Sequence, residues 1–469
     1  MIAAIAQNEI RLLSRNGVFV FLIITMIALM TGASALSVQR LNTFERERSA
    51  AELVDREVWN NQGERNPHAA AHFSRYAFKP IPGLAAFDPG VTDYAGLALW
   101  MEAHHQNPAV FRRAEDLGDL GGHSGLSPAW ILQYAAPIFI FLVLFSAVAG
   151  ERELGTQKQL IASGVTARAW LVGKFIGAGF SVGAIVLPAV LLGYLIVGNS
   201  DAQPLPDTGR RVAGLSIVYG IYFVAISAFS IGVSAIARDK RTAFTVLIAV
   251  WAIAFILVPR LSGSIAGVLY PTPESISITD DLRDASMAYY IDEDLQDQLQ
   301  RSVLEEYGVQ STDDLPFDYG GYTLQYSEEY SHPLFAEVYR GLDETFVRQE
   351  RVLAAASILS PVLALETLSA GFSGTDRLHH DSFRQAAEER RRVIVKQLND
   401  DLTQNAKDGP YMADEALWRQ VGDFEHQLPS MDQFSGKYAF SIIVLVFYAV
   451  ASVLFGYVAV RSSQKESAA

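Results

Sequence analysis

Cysteine is missing altogether from the 469 residues, which removes disulfides, thiolate metal sites and cysteine nucleophiles together. Positive charge is the second shortage: 37 Lys and Arg stand against 51 Asp and Glu, a net charge of −14. Binding phosphates needs a basic face, so nucleic acid is not expected as a partner. The phosphate-cradling pattern G-x-x-x-x-G-K-[ST] is also missing. Gly173–Lys174 runs on into Phe175, and Gly436–Lys437 into Tyr438. The chain is therefore expected to be no enzyme and to hydrolyse no ATP itself. Neither H-E-x-x-H nor G-x-S-x-G occurs, and all nine His (68, 72, 104, 105, 123, 332, 379, 380 and 426) fall outside the long apolar runs. A Ser–His hydrolase inside a bilayer would lack its base. No internal repeat or low-complexity tract is evident.

What the chain has in quantity is apolar sequence, half of it by residue type. Six runs reach the roughly 20 residues needed to cross about 30 Å of hydrocarbon: 17–37, 130–149, 171–197, 212–237, 242–262 and 438–460. The first also has marks of a secretory signal, with Arg11 and Arg15 ahead of it and "ASALS" at its end. Its length, nearer 20 residues than 7–15, favours a retained helix. The Lys and Arg bias near span ends places 1–16, 150–170, 238–241 and 461–469 in the cytoplasm, and 38–129, 198–211 and 270–436 outside. Arg210 and Arg211 are a mild exception. The expectation is an all-α polytopic protein with six transmembrane helices, an N-terminal amphipathic helix and a mainly helical extracytoplasmic domain.

The 270–436 segment holds 32 carboxylates against 13 Lys and Arg, more than the whole chain's acidic surplus. Such acidity suits a solvated folded domain. "LNTFERERSAAELVDREVW" reads as an amphipathic extension of the first span. In "GTDRLHHDSFRQAAEERRRVIVKQL", Thr375 or Asp376 is placed to cap a helix, with Arg384–Glu388 and Glu388–Arg392 at i,i+4. "SPVLALETLSAGF", 360–372, is apolar but too short to span. It either lies on the outer leaflet or packs in a core.

Two His groupings invite a metal reading. His68 and His72 stand one helical turn apart, and His379, His380 and Asp381 are adjacent. Zinc takes three or four ligands, and the sequence identifies no third, so no metal site is assigned. The spans carry few ionisable residues, which disfavours ion-driven transport. The energy is expected to come from elsewhere.

The stretch "GERELGTQKQLIASGVTARAW" after the second span carries the most information. Thr156 and Gln159 match a capping box, and Gly164 is placed as a C′ residue. These delimit a helix near 157–163 with Leu154, Leu160 and Ile161 as its packing side. So short a helix is unstable alone and must pack on something. The stretch resembles the loop between the second and third spans of ABC type-2 exporter permeases, the ABCG-like, type V group. There an E-x-E-x-G-T-like motif precedes a short coupling helix. Glu151, Glu153, Gly155 and Thr156 align with that motif, and Arg152, Lys158, Gln159, Leu160 and Ile161 complete the loop. "MIAAIAQNEIRLLSRN" resembles the family's elbow helix, with Ile2, Ala6, Ile10 and Leu13 on one face. The large outer insertions depart from typical members. The stretch 360–399 in the second is similar to a helical periplasmic domain of unknown function in some Gram-negative permeases.

The resemblance implies the membrane subunit of an ATP-binding-cassette exporter in a bacterial inner membrane. Two such chains, identical or homologous, would pair with two copies of a separate ATPase that holds ATP and Mg. This chain itself is expected to hold no cofactor. A central cavity lined mainly by the second and fifth spans is implied, which nominates Tyr134, Phe139, Phe145, Phe244, Trp251 and Phe255. Pro259 and Arg260 would mark its outer end. The main alternative is mechanotransmission, in which the outer domain works on a periplasmic or outer-membrane partner and nothing crosses the bilayer. A membrane-anchored receptor or scaffold without an ATPase is a third reading. A metallochaperone role has only the His groupings behind it.

Overall fold

A computed structural model describes residues 1–112, 126–177, 179–180, 183 and 202–468. Most of the third apolar run, 171–197, and His123 lie outside these. Five helices among the described residues are long and apolar enough to cross a membrane. The fold is an all-α polytopic membrane protein.

The chain begins with α1 (Ile2–Ser14), and Asn16 then caps α2 (Gly17–Asn60) by accepting the Val18 amide at 3.0 Å. With 44 residues, α2 extends about 66 Å at 1.5 Å per residue. It therefore carries on past the apolar run as the charged pattern predicts. A short α3 (Pro67–His72) and a two-stranded antiparallel ribbon follow, β1 (Tyr76–Phe78) on β2 (Ala98–Trp100), with Ala77 opposite Leu99. Next come α4 (Pro128–Glu153), α5 (Thr156–Ala162) and α6 (167–177). α7 (Thr208–Ile236) and α8 (Lys240–Leu269) complete the middle of the bundle. Both begin before the apolar runs they contain, since capping and polar residues extend a helix past its hydrophobic stretch.

The second large insertion is helical: α9 (Ser275–Ile291), α10 (Glu293–Tyr307), α11 (Tyr319–Ala356), α12 (Pro361–Ser373) and α13 (Arg377–Asn405). Asp376 caps α13 by accepting the His379 amide at 3.2 Å. Within α13, Glu388 pairs with Arg392, but Arg384 turns instead to Asp343 and Asp381. The chain closes with α14 (Ala439–Ala468).

α7 and α14 pack closely along the bundle. A Cβ at Gly232 would meet the Phe455 ring at 2.5 Å and Gly456 Cα at 3.2 Å, the small-residue contact that substitutes for hydrophobic driving force in lipid. α12 lies against both, with Val362, Leu365 and Leu368 in the bundle's own core. Of the two expectations for "SPVLALETLSAGF", core packing is the one observed. The charge exception also acquires a role. Arg211 is buried and donates to the carbonyls of Pro206, Gly371, Phe372 and Pro429, while Arg210 pairs with Asp207 and Asp432.

The two insertions do not fold apart. Trp59, Ala70, Leu99 and Met101 from the first share a core with Phe383, Ile394, Leu398 and Trp418 from the second. Trp59 packs edge-on to Trp418 and donates its indole N–H to the Trp418 carbonyl at 2.9 Å. We call this joint unit the body. The bundle end that gathers both chain termini is the opposite end.

Candidate functional site

At the bundle end opposite the body, α4 breaks its helical bonding near 145–148. The amides freed there are satisfied by α7: Ser234 Oγ accepts from Val148 at 3.0 Å and Ala149 at 3.1 Å, and donates to the Phe145 carbonyl at 2.7 Å. Below this break, three consecutive charges reach three different neighbours. Glu151 pairs at 2.5 Å with Lys174 of α6, which also pairs at 2.6 Å with Glu9 of α1. Lys174 is buried, so the two carboxylates keep its ammonium paired where solvation is poor. Gly173 and Gly177 let α1 approach α6, since a Cβ at either would strike Ile5 or Glu9.

Arg152 folds back on the bundle. Its guanidinium donates to the Ala235 and Ala237 carbonyls at the end of α7, and to Ser463 Oγ of α14 at 2.7 Å. A cation there complements the exposed carbonyls of a helix C-terminus. Glu153 accepts the Lys240 amide at 2.9 Å and pairs with the Lys240 ammonium at 3.2 Å, at the start of α8. Next to it Asp239 caps α8 by accepting the Thr242 amide at 2.8 Å, a bond that holds the Asp239 carboxyl below its ordinary range. The segment "ERE" is thus bonded to α1 (through Lys174), α6, α7, α8 and α14.

Gly155 turns the chain with φ of 75°, a left-handed conformation that favours glycine. The expected capping box does not form. Thr156 is the first helical residue of α5, and its hydroxyl donates back to the Glu151 carbonyl at 3.2 Å. The left-handed Gly155 has put Thr156 too far along to serve as an N-cap. Gly164 does close α5 as expected, at φ of 75°, with Gly164 N bonded to Ile161 O and Val165 N to Leu160 O, the paired bonds of a Schellman ending. The packing side also differs from the expected one. Leu154 is 79 % exposed, whereas Gln157 is fully buried and donates to Ser463 Oγ at 2.8 Å. Leu160 joins the core edge, Ile161 is half-buried, and Lys158 and Gln159 are exposed. On α1 the packed face is Ile5, Ala6 and Leu13, with Ile2 turned outward.

The nominated aromatic residues divide into two groups. Phe139 and Phe255 are buried, against Phe19 and Tyr222 respectively. The other four line a seam between α4 and α8. Phe145 meets Phe244 edge-on at 5.6 Å, and the Trp251 indole donates to the Tyr134 carbonyl at 3.0 Å. Tyr134 also donates its hydroxyl to Glu366 of α12, so the seam is tied to that helix.

The His groupings part company. His379 bonds Asp376 at 2.5 Å, His380 lies 3.4 Å from the Lys79 ammonium, and Asp381 pairs with Arg377 and Arg384. His68 and His72 remain together, and the structure brings His104 to them. Burial pushes His68 down to about 4. Sequence reasoning missed Gln157, Ser234, Ser463 and His104. Glu9 and Lys174 carried a usable signal, as charges close to apolar runs.

Apolar helices of spanning length joined at a charged junction define a polytopic membrane protein. The chain belongs to the ABC-2 family transporter proteins, whose family model matches residues 3–464, and is a permease component of an ATP-binding-cassette transporter. No curated protein and no solved structure matches it.

Proposed function

We propose that the chain is the membrane subunit of an exporter driven by a separate ATPase that docks on the exposed edge of residues 153–164. One observation carries this reading. Glu151, Arg152, Glu153 and Gln157 are bonded to the surrounding helices, while Leu154, Gly155, Lys158 and Gln159 are left outside. A rooted base with an open edge can pass a push to several spans at once, which is what a coupling helix must do. ATP and Mg2+ act on the partner. The exposed apolar side of α8, with Ile253, Ile256, Leu257 and Leu261, supports pairing with a second permease chain. Two ATPase copies and two permease chains then make the working unit. The charged junction faces the cytoplasm and the body the periplasm of a bacterial inner membrane. Of the nominated path residues, Tyr134, Phe145, Phe244 and Trp251 are kept, because the other two are packed inside the chain.

Lys158→Glu reverses charge on the open edge and touches no bond of the base. Gly155→Leu adds a strained left-handed residue at about 1–2 kcal/mol. Both are expected to insert normally in membranes and to lose permease-dependent ATP hydrolysis in the co-purified complex. Unchanged hydrolysis in both would overturn the reading. Mechanotransmission keeps one specific support: α2 runs unbroken from the bundle into the body, where Trp59 packs on Trp418. Flux into proteoliposomes that depends on the ATPase favours export, and hydrolysis without flux favours the lever.

A further inference from the structure

The imidazoles of His68, His72 and His104 converge at the surface of the body, each offering a ring nitrogen, all within 4.8 Å of one another. Ring centroids are 4.9, 4.9 and 5.2 Å apart. All three are half-buried, so the group opens to solvent on one side. His68 and His72 sit one turn apart on α3, and His104 comes from the turn after β2.

The surroundings fix which nitrogens point inward. His104 has φ of 62°, uncommon for a residue with a side chain. Glu328 of α11 holds it there, accepting both its amide and its Nδ1, the latter at 3.0 Å. The second Glu328 oxygen accepts from Arg391 at 3.0 Å, and Arg391 is itself clamped by Glu388. His68 Nδ1 lies 2.9 Å from Asn399 Oδ1, and the Asn399 amide nitrogen donates to Gln325 at 3.2 Å. That second bond fixes the oxygen of Asn399 toward His68. Both Nδ1 atoms are therefore donors, which leaves both Nε2 atoms as acceptors while the rings are neutral.

Those two Nε2 atoms face each other at 3.1 Å. Two lone pairs at that distance repel unless a proton or a metal ion lies between them, and the third imidazole, His72, offers a ligand atom that a shared proton would not use. A zinc ion with Zn–N bonds of 2.0–2.1 Å in tetrahedral geometry needs nitrogens about 3.3 Å apart. A carboxylate and a carboxamide on the outer ring nitrogens are the supports that orient metal-binding His and raise its basicity. The elements involved are also informative. The three imidazoles come from the first insertion and all their supports from the second.

We propose that His68, His72 and His104 bind one divalent transition-metal ion of the zinc class, leaving a fourth position for water or an exchangeable ligand. A side-chain rotation brings the third nitrogen to bonding distance. The ion would join the two insertions across the shared core, so occupancy stiffens the body.

The test uses the full-length chain, purified in detergent without a His tag and stripped with chelator. Titration with Zn2+ is expected to give one site per chain and to raise the melting temperature. Co2+ should give the visible absorption of a low-coordinate nitrogen site. His68→Gln, His72→Gln and His104→Gln should each weaken Zn2+ binding by more than about 100-fold, beyond the 10–100-fold typical of an outer-shell partner, with apo melting unchanged in His72→Gln, whose ring neither Glu328 nor Asn399 holds. X-ray absorption at the zinc edge of the wild type counts imidazoles independently of any variant's folding, and three are expected. Failure of the wild type to bind at stoichiometric Zn2+, undiminished binding in the three variants, or fewer than three imidazoles at the zinc would overturn the proposal.

Discussion

The two clusters of charged and imidazole groups at opposite ends of this molecule are built on opposite terms. At the junction below α4, Lys174 lies between two carboxylates, Arg152 reaches carbonyls and a hydroxyl, and Glu153 reaches an amide and an ammonium. Donors there meet acceptors. In the body, His68 and His104 turn Nε2 to Nε2 at 3.1 Å, acceptor to acceptor while both rings are neutral. A matched cluster transmits force, because moving one member moves its partners. A mismatched cluster waits for something of opposite character.

The largest expected effect falls on the matched side. Lys174→Met leaves the Glu9 and Glu151 carboxylates facing each other without their cation, and breaking such a buried set costs about 3–5 kcal/mol. Detergent-solubilised protein should melt well below wild type. Arg152→Ala removes charged hydrogen bonds to α7 and α14, with about 1.5–3 kcal/mol lost and weakened coupling to the ATPase. Gln157→Ala forfeits two bonds to Ser463, about 1–2 kcal/mol by the same reasoning, read as a smaller melting shift. On the mismatched side, His72→Gln should change metal-free stability by no more than about 0.5 kcal/mol, as expected for a half-exposed site. It should nevertheless abolish the rise in melting temperature with Zn2+. If His72→Gln destabilised the apo protein as much as Arg152→Ala, the contrast between the two clusters would fail.

Much of the bundle was legible because its signals are periodic or compositional. Apolar runs marked the spans, the charged continuation of the first one marked the long α2, and Gly164 marked the end of α5. The motif "GERELGT" marked the charged junction without revealing its local geometry. Thr156 and Gln159 fit a capping box by spacing, but the left-handed turn at Gly155 moves the helix start and makes Gln157 the buried residue. No spacing rule announces that Ser463, over 300 positions away, supplies its partner. His104 escaped for the same reason. It lies 36 residues beyond His68, and only the turn after β2 brings it back to α3. The merger of the two insertions into one body was equally hidden, since a core shared by Trp59 and Trp418 depends on contacts far apart in sequence.

The absence of cysteine from the chain makes the central claim directly measurable. A single Lys158→Cys on the open edge of α5 gives a unique thiol, and Glu293→Cys at the start of α10 gives an exposed control in the body. Membranes containing the chain and its ATPase are treated with a short bifunctional thiol-to-amine reagent. A covalent adduct with the ATP-hydrolysing subunit from position 158, altered by ATP and absent from position 293, is the predicted result. No adduct at 158, or equal adducts at both positions, would contradict the assignment of residues 153–164 as the docking edge.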